Sequence, residues 1–278
     1  MSARCLLCPH NCLIEEGGYG FCRARRCVSG KIECANYAKI TSAALDPIEK
    51  KPLRRYYPGS VIMSIGSFGC NLRCPFCQNY EISMAGQGDV KAAENSPEKI
   101  TDKAVELKIY GNIGVAYTYN EPLVGYEFVS DCCELAHEKG LKNVVVTNGF
   151  LNPEPFDALL PAIDAMNIDL KGFTNDFYKL AGAGAKGLDT VKRNIASAAR
   201  SCHVEVTTLI IPGENDSEEE MSSLSGFLAG IDTELPLHVT RFFPRYHMKD
   251  REATEVETVE RLAETARKKL RYVYTGNC

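Results

Sequence analysis

From Val61 onward the chain alternates between short apolar, β-branched runs and amphipathic stretches of helical period, and this alternation restricts the fold more than any other feature. The runs are "VIMSIG" (61–66), "IGVAYTY" (113–119), "NVVVTNG" (143–149), "DAMNIDLK" (164–171), "VEVTTLIIPG" (204–213) and "LHVTRFFP" (237–244). They are apolar nearly throughout, as strands covered on both faces must be. A helix is predicted from about residue 97 to 110, with Ser96 as N-cap and Pro97 at the first helical position. A second is predicted from about 125 to 139 and stops at Gly140. Ser217 with Glu220 makes a capping box for a third, and residues 255–269 form the last. Strands alternating with helices build βαβ units and a parallel sheet, either doubly wound or closed into a partial (β/α) barrel. In both, binding groups gather at the C-terminal ends of the strands. "GCNLRC", "NEP", "TNG", "DLKG" and "IPG" all sit there.

Residues 1–60 have another texture, rich in Cys and Gly and poorly periodic, and are expected to form a small metal-binding region before a core domain at 61–278. The 278 residues suit one large domain with such an appendage. The formal charge is 32 − 36 = −4 with no long basic tract, which leaves nucleic-acid binding without an electrostatic footprint. The opening "MSARCLLCPHNCLIEEGG" lacks the apolar core of a signal peptide, and no run approaches a membrane span. A cytoplasmic protein without membrane partners is the expectation.

Cysteine usage sharpens this. Nine of the 13 cysteines fall before Tyr80. In a reducing compartment such clustering points to metal ligation or redox chemistry rather than to disulfides. Cys132, Cys133 and Cys202 fall in helix or strand patterns and read as plain buried thiols. Cys70, Cys74 and Cys77 put three thiols on one loop leaving the first predicted strand. A structural zinc site wants four ligands, usually as two CxxC pairs, so a distant residue would have to complete one here. An iron–sulfur cube held by three cysteines instead leaves one iron open to another ligand. At the amino terminus, Cys5, Cys8, Cys12 and Cys22 supply four more thiols, a set suited to structural zinc or to a second iron–sulfur cluster.

The pattern C-x3-C-x2-C after the first strand of a parallel α/β sequence, with Phe76 before the last cysteine, resembles the radical S-adenosylmethionine (SAM) superfamily. "TYNEP" (118–122) stands where that superfamily has a Gly-Gly-Glu-Pro motif, and "VTNGF" (146–150) and "DLKG" (169–172) resemble segments of pyruvate formate-lyase activating enzymes. "CLLCPHNCLIEEGGYGFC", "LDPIEKKPL", "YYPGSVIMSIGSFGCNLRCPFCQNYEIS" and "AYTYNEP" resemble a narrower branch, the AmmeMemoRadiSam-system radical SAM proteins, over nearly the whole chain.

The resemblance implies a partial (β/α)6 TIM-like barrel in which Cys70, Cys74 and Cys77 hold a 4Fe-4S cluster whose fourth iron binds SAM. Reductive cleavage of SAM would give a 5′-deoxyadenosyl radical that abstracts hydrogen from a substrate, the cofactors supplying the chemistry and the protein the positioning. Phe76 would cover the adenine side, Asn120 and Glu121 would anchor the amino group, and Thr147, Asn148, Asp169 and Lys171 would line the ribose and methionine end. An electron donor such as flavodoxin or ferredoxin is implied, and a protein substrate is one option beside a small molecule. Tyr119 and Asn120 replace the paired glycines, Val146 replaces a cation-binding aspartate of the activating enzymes, and Thr207 replaces an arginine, which sets this chain apart from them.

Each feature has a plainer reading. Asp169 and Lys171 share one face of a strand and could form a simple ion pair. Glu121 could be a helix-entry residue, and "TNG" an ordinary turn. A non-catalytic iron–sulfur or zinc protein of electron transfer or assembly would need no SAM-shaped pocket. Gly182 to Gly187 match G-x-G-x-x-G, but a helix-like stretch precedes them where a dinucleotide fold needs a strand. Arg54 and Arg55 beside Tyr56 and Tyr57 read as a local surface or interface feature in an acidic chain.

Overall fold

The computed structural model describes residues 1–278. Its main sheet runs β1 (Ser42–Pro47), β2 (Val61–Gly66), β3 (Asn112–Tyr117), β4 (Lys142–Thr147), β5 (Ala165–Asp169), β6 (His203–Ile210), β7 (Leu237–Arg241) and β8 (Val273–Gly276), in that spatial order. Strands β2 to β8 are parallel, and β1 joins the outer edge of β2 antiparallel. All six predicted strands are present. The two end strands do not pair with each other, so the barrel stays open.

Helices α1 (Pro97–Glu106), α2 (Tyr126–Glu138), α3 (Pro153–Leu159), α4 (Asn175–Leu180), α5 (Gly187–Ala198), α6 (Glu218–Ile231) and α7 (Val256–Arg267) fill the crossovers. Ser96 accepts from the Lys99 amide and Ser217 from the Glu220 amide, but the capping box is only half made, because the Glu220 carboxylate accepts from the Phe173 amide instead. Along β7, Leu237 and Val239 are fully buried in the apolar core, while His238 and Thr240, alternating with them, face a central cavity. Thr207 and Leu209 of β6 face the same cavity, following the two-residue period of a strand. The G-x-G-x-x-G stretch lies between α4 and α5, a connection between helices as expected.

The amino-terminal region differs from a simple appendage ending at residue 60. Residues 1–41 do form a lobe of short antiparallel pairs, Ser2–Arg4 with Leu13–Glu15 and Arg25–Val28 with Lys31–Cys34. Ser42–Pro47, however, already belongs to the main sheet. After β1 the chain crosses the floor of the barrel before entering β2. Its polar, proline-ended sequence carries no apolar run to announce a strand, because an edge strand is covered on one side only.

Glu205 secures that crossing. Its carboxylate is fully buried and accepts from the backbone amides of Arg54 (3.0 Å) and Arg55 (2.7 Å), from His203 Nε2 (3.0 Å) and from His238 Nε2 (2.6 Å). An ionised carboxylate only accepts, so both imidazoles present Nε2–H to it. Asn167 adds a bond from Nδ2 to the Pro52 carbonyl at 2.9 Å. The Arg54–Arg55 pair is thus a structural clasp, with the Arg55 guanidinium 3.7 Å above the Tyr272 ring. Burial opposes charge on Glu205, but its four donors outweigh this and hold its pKa at about 2, below the ordinary 4.5. A depressed carboxyl stabilises the fold above its unfolded pKa and loses that contribution as pH falls. Glu205→Ala is therefore expected to cost about 3 kcal/mol or more in denaturant unfolding near neutral pH. The wild type should lose stability between about pH 4.5 and pH 2 more steeply than the variant.

Candidate functional site

The loop carrying Cys70, Cys74 and Cys77 follows β2 and has almost no regular structure, so neighbouring side chains must place it. Asn120, just beyond β3, accepts from the Ser67 amide (3.0 Å) and donates to the carbonyls of Phe68 (3.2 Å) and Gly69 (3.0 Å). Asn71 donates to the Phe150 carbonyl (2.7 Å) and accepts from Asn148 Nδ2 (2.8 Å), which also lies 3.6 Å from the Cys70 sulfur. The Cys70 amide donates to the Cys22 carbonyl in the amino-terminal lobe (3.2 Å). Gly69 is required at that contact. Its φ is +89°, and a Cβ there would stand 2.6 Å from the Cys22 oxygen.

The three thiols open into a cavity of about 730 Å³. Phe76, Asn120, Glu121, Thr147, Asn148, Asp169 and Lys171 line the same cavity, so the structure brings together every residue that the resemblance assigns to the cluster and SAM. Cys5, Cys8, Cys12 and Cys22 lie outside it, in the lobe.

Two plainer readings hold locally. Glu121 caps the 3-10 turn Pro122–Gly125 through the Leu123 amide (3.1 Å), and Asp169 pairs with Lys171 at 2.6 Å. Neither residue is exhausted by that bond. Glu121 also accepts from Thr147 Oγ1 (2.8 Å) and from the Asn148 amide (2.7 Å), which fills three of about four acceptor sites and leaves one. Burial raises its carboxyl to about 7 against the pull of these donors. For Lys171, burial disfavours the charge, but Asp169 and the nearby thiols outweigh it and hold the ammonium well above its usual pKa. The Asn120 NH2 group is committed to the cysteine loop and to the Glu121 carbonyl (3.1 Å), while its Oδ1 accepts from the Ser67 amide and keeps one acceptor site.

Burial pushes the Cys74 thiol up to about 12, and it raises Cys70 and Cys77 as well. Three such thiols ionise together only against a strong positive centre, which an iron–sulfur cluster provides. Each thiolate of an iron–sulfur cube binds its own iron, and three thiolates leave the fourth iron open. The donor set therefore fits a cluster. In the lobe, Cys8 is pushed up to about 12 mainly by burial, with Cys22, Cys5 and Cys12 near enough to add to the shift.

Asp46, Lys51, Tyr119 and His238 also line the cavity and were not among the expected site residues. Asp46 and Lys51 lie in "LDPIEKKPL", whose charged residues were the available signal.

Asn120→Ala is expected to lower stability by about 2 kcal/mol and to reduce the iron taken up on anaerobic reconstitution, because the loop loses its bonds to β3. Thermal unfolding and iron analysis of the two proteins check both effects.

The geometry agrees with what the chain is similar to. It is 40% identical over 277 residues to an uncharacterized protein of Methanocaldococcus jannaschii, covering 99% of this chain and 81% of that one. It is 27% identical over 168 residues to the pyruvate formate-lyase-activating enzyme of Clostridium pasteurianum, covering 59% of this chain and 67% of that enzyme. In fold it is similar to SuiB of Streptococcus suis bound to S-adenosylmethionine, with a TM-score of 0.60 at 14% identity over 75% of this chain and 48% of that one. Residues 64–224, from β2 into α6, match the sequence model of the Radical SAM superfamily, and with three thiols, a parallel open barrel and one shared cavity in place, the chain belongs to that superfamily.

Proposed function

We propose that this protein is a radical SAM enzyme with Cys70, Cys74 and Cys77 as cluster ligands and the cavity beside them as the SAM site. The observation that carries the reading is that all ten residues assigned to the cluster and SAM line one cavity at the strand ends. When bound, the 4Fe-4S cluster and SAM supply a reductively generated 5′-deoxyadenosyl radical that takes hydrogen from a substrate.

The remaining work falls to the chain. Glu121 offers its one open acceptor site to the SAM amino group, and Thr147 and Asn148 keep its carboxylate aimed. Asp169 accepts from ribose hydroxyls, while Lys171, tethered to it, faces the methionine carboxylate. Phe76, buried and 5.7 Å from Phe177 between ring centroids, covers the adenine. Leu72 and Leu209 add apolar lining to the same cavity. The electron comes from a low-potential donor such as flavodoxin or ferredoxin. The resemblance to activating enzymes favours a second reading, in which the hydrogen comes from a glycine of a protein substrate. The four amino-terminal thiols are proposed to hold a further metal, zinc or a second iron–sulfur cluster.

The test is anaerobic reconstitution with iron and sulfide, addition of SAM and a strong reductant, and quantification of 5′-deoxyadenosine. The wild type is expected to form it and Cys74→Ala to form none. In the same series, a variant with alanine at Cys70, Cys74 and Cys77 should retain metal in the amino-terminal lobe. A wild type that carries its cluster but neither binds nor cleaves SAM would return the reading to an electron carrier.

A further inference from the structure

The motif "LDPIEKKPL" marks the narrower resemblance, and nothing in the cluster or SAM assignment uses it. The structure nonetheless places Asp46, Glu49, Lys50, Lys51 and Pro52, with Arg54 just beyond, on the wall of the same cavity as the three thiols. Lys51 is the unusual member. Its side chain is only 3% exposed, and its ammonium donates to Asp46 Oδ2 at 2.9 Å. The same Asp46 oxygen accepts from the Tyr119 hydroxyl at 2.7 Å, and the Lys51 ammonium lies 4.7 Å from the centre of the Tyr119 ring.

Tyr119 is held in a conformation that a bulky residue seldom adopts, with φ +72°. Three contacts enforce it. Asn79 Nδ2 donates to its carbonyl at 2.7 Å, Asp46 holds its hydroxyl, and its ring packs on Gly66, where a Cβ would come within 2.8 Å. Strain kept in place from several sides belongs to sites that need a fixed geometry. Here it fixes the wall around Lys51.

The charge balance of this wall gives the ligand's sign. Lys50, Lys51 and Arg54 face Asp46 and Glu49. Glu49 is engaged by the Gly59 amide at 2.7 Å, Asp46 is shared between Lys51, Tyr119 and, at 3.7 Å, Lys50, and Arg54 has no ion-pair partner. An ammonium has three donors, and Lys51 gives one to Asp46. The groups assigned to SAM, Glu121 and the Asp169–Lys171 pair, are separate from this set.

We infer that Lys51, fixed by Asp46 and Tyr119, receives an anionic group of the substrate, a carboxylate or a phosphate, within the cavity that holds the three thiols. The inference rests on the radical SAM reading only for the word substrate, since anion binding is measured without turnover.

The experiment is equilibrium dialysis of the reconstituted protein, saturated with SAM so that its own carboxylate site is filled. Radiolabelled inorganic phosphate and radiolabelled pyruvate serve as separate probes. One of the two should bind saturably, and which one does so identifies phosphate or carboxylate as the group. Lys51→Gln is expected to weaken that binding about tenfold or more, and Lys51→Arg to retain most of it. Asp46→Asn removes the competing carboxylate and should bind the anion at least as tightly as the wild type. A merely structural Lys51–Asp46 tie would instead make both variants weaken binding together. Melting curves and the cluster's visible absorption establish that each variant folds. Binding of neither probe by the wild type, wild-type affinity in Lys51→Gln, or parallel loss in Asp46→Asn would overturn the inference. Absence of 5′-deoxyadenosine alone would leave the isotherms, and so the inference, standing.

Discussion

The cysteine loop has no ladder or helix to fix it, and its position depends on hydrogen bonds from the ends of β3 and β4. Asn120 binds three backbone groups between Ser67 and Gly69, and Asn148 reaches the loop through Asn71. Each bond adds only about 1 kcal/mol net, but the groups are buried, and an unpaired one would cost more than a pair gains. The loop therefore has one well-satisfied position. Glu121 joins the same network through Thr147 and the Asn148 amide, so the acceptor assigned to the amino group and the thiols assigned to the cluster are placed by one set of contacts.

The second anchor of the site comes from the other end of the sequence. Gly69 and Cys70 press on the Cys22 backbone, and Glu205 holds the segment that leads from β1 to β2 beneath the cavity. Residues 1–60 are thus part of how the site is built. They support the cysteine loop from outside and supply Asp46 and Lys51 to the cavity wall.

Much of this was legible in the sequence. Buried parallel strands must be apolar along their whole length, so β2 to β7 stood out, and helix caps at Ser96 and Ser217 marked the crossovers. Two strands of the main sheet escaped notice for physical reasons. Ser42–Pro47 is an exposed edge with mixed polarity, and Val273–Gly276 is only 4 residues long. The residues that the motifs single out lie at or beyond the C-terminal ends of β2 to β5, where a βαβ pattern gathers binding groups. The bonds from Asn120 to the cysteine loop were not legible, since only the fold reveals which backbone groups need it. The clasp at Glu205 joins residues about 150 positions apart, and the Tyr119–Asp46 bond spans 73, distances at which a single sequence carries no pairing signal.

The central claim is that three cysteines leave one iron open and that the cavity presents SAM to it. Electron paramagnetic resonance of the reduced, reconstituted protein, recorded while SAM labelled with 15N on its amino group is added, tests this most directly. A cluster signal that shifts on addition of SAM and shows coupling to the labelled nitrogen is the predicted result. A cluster signal unchanged by SAM, in protein whose iron content matches a full cluster, would contradict it.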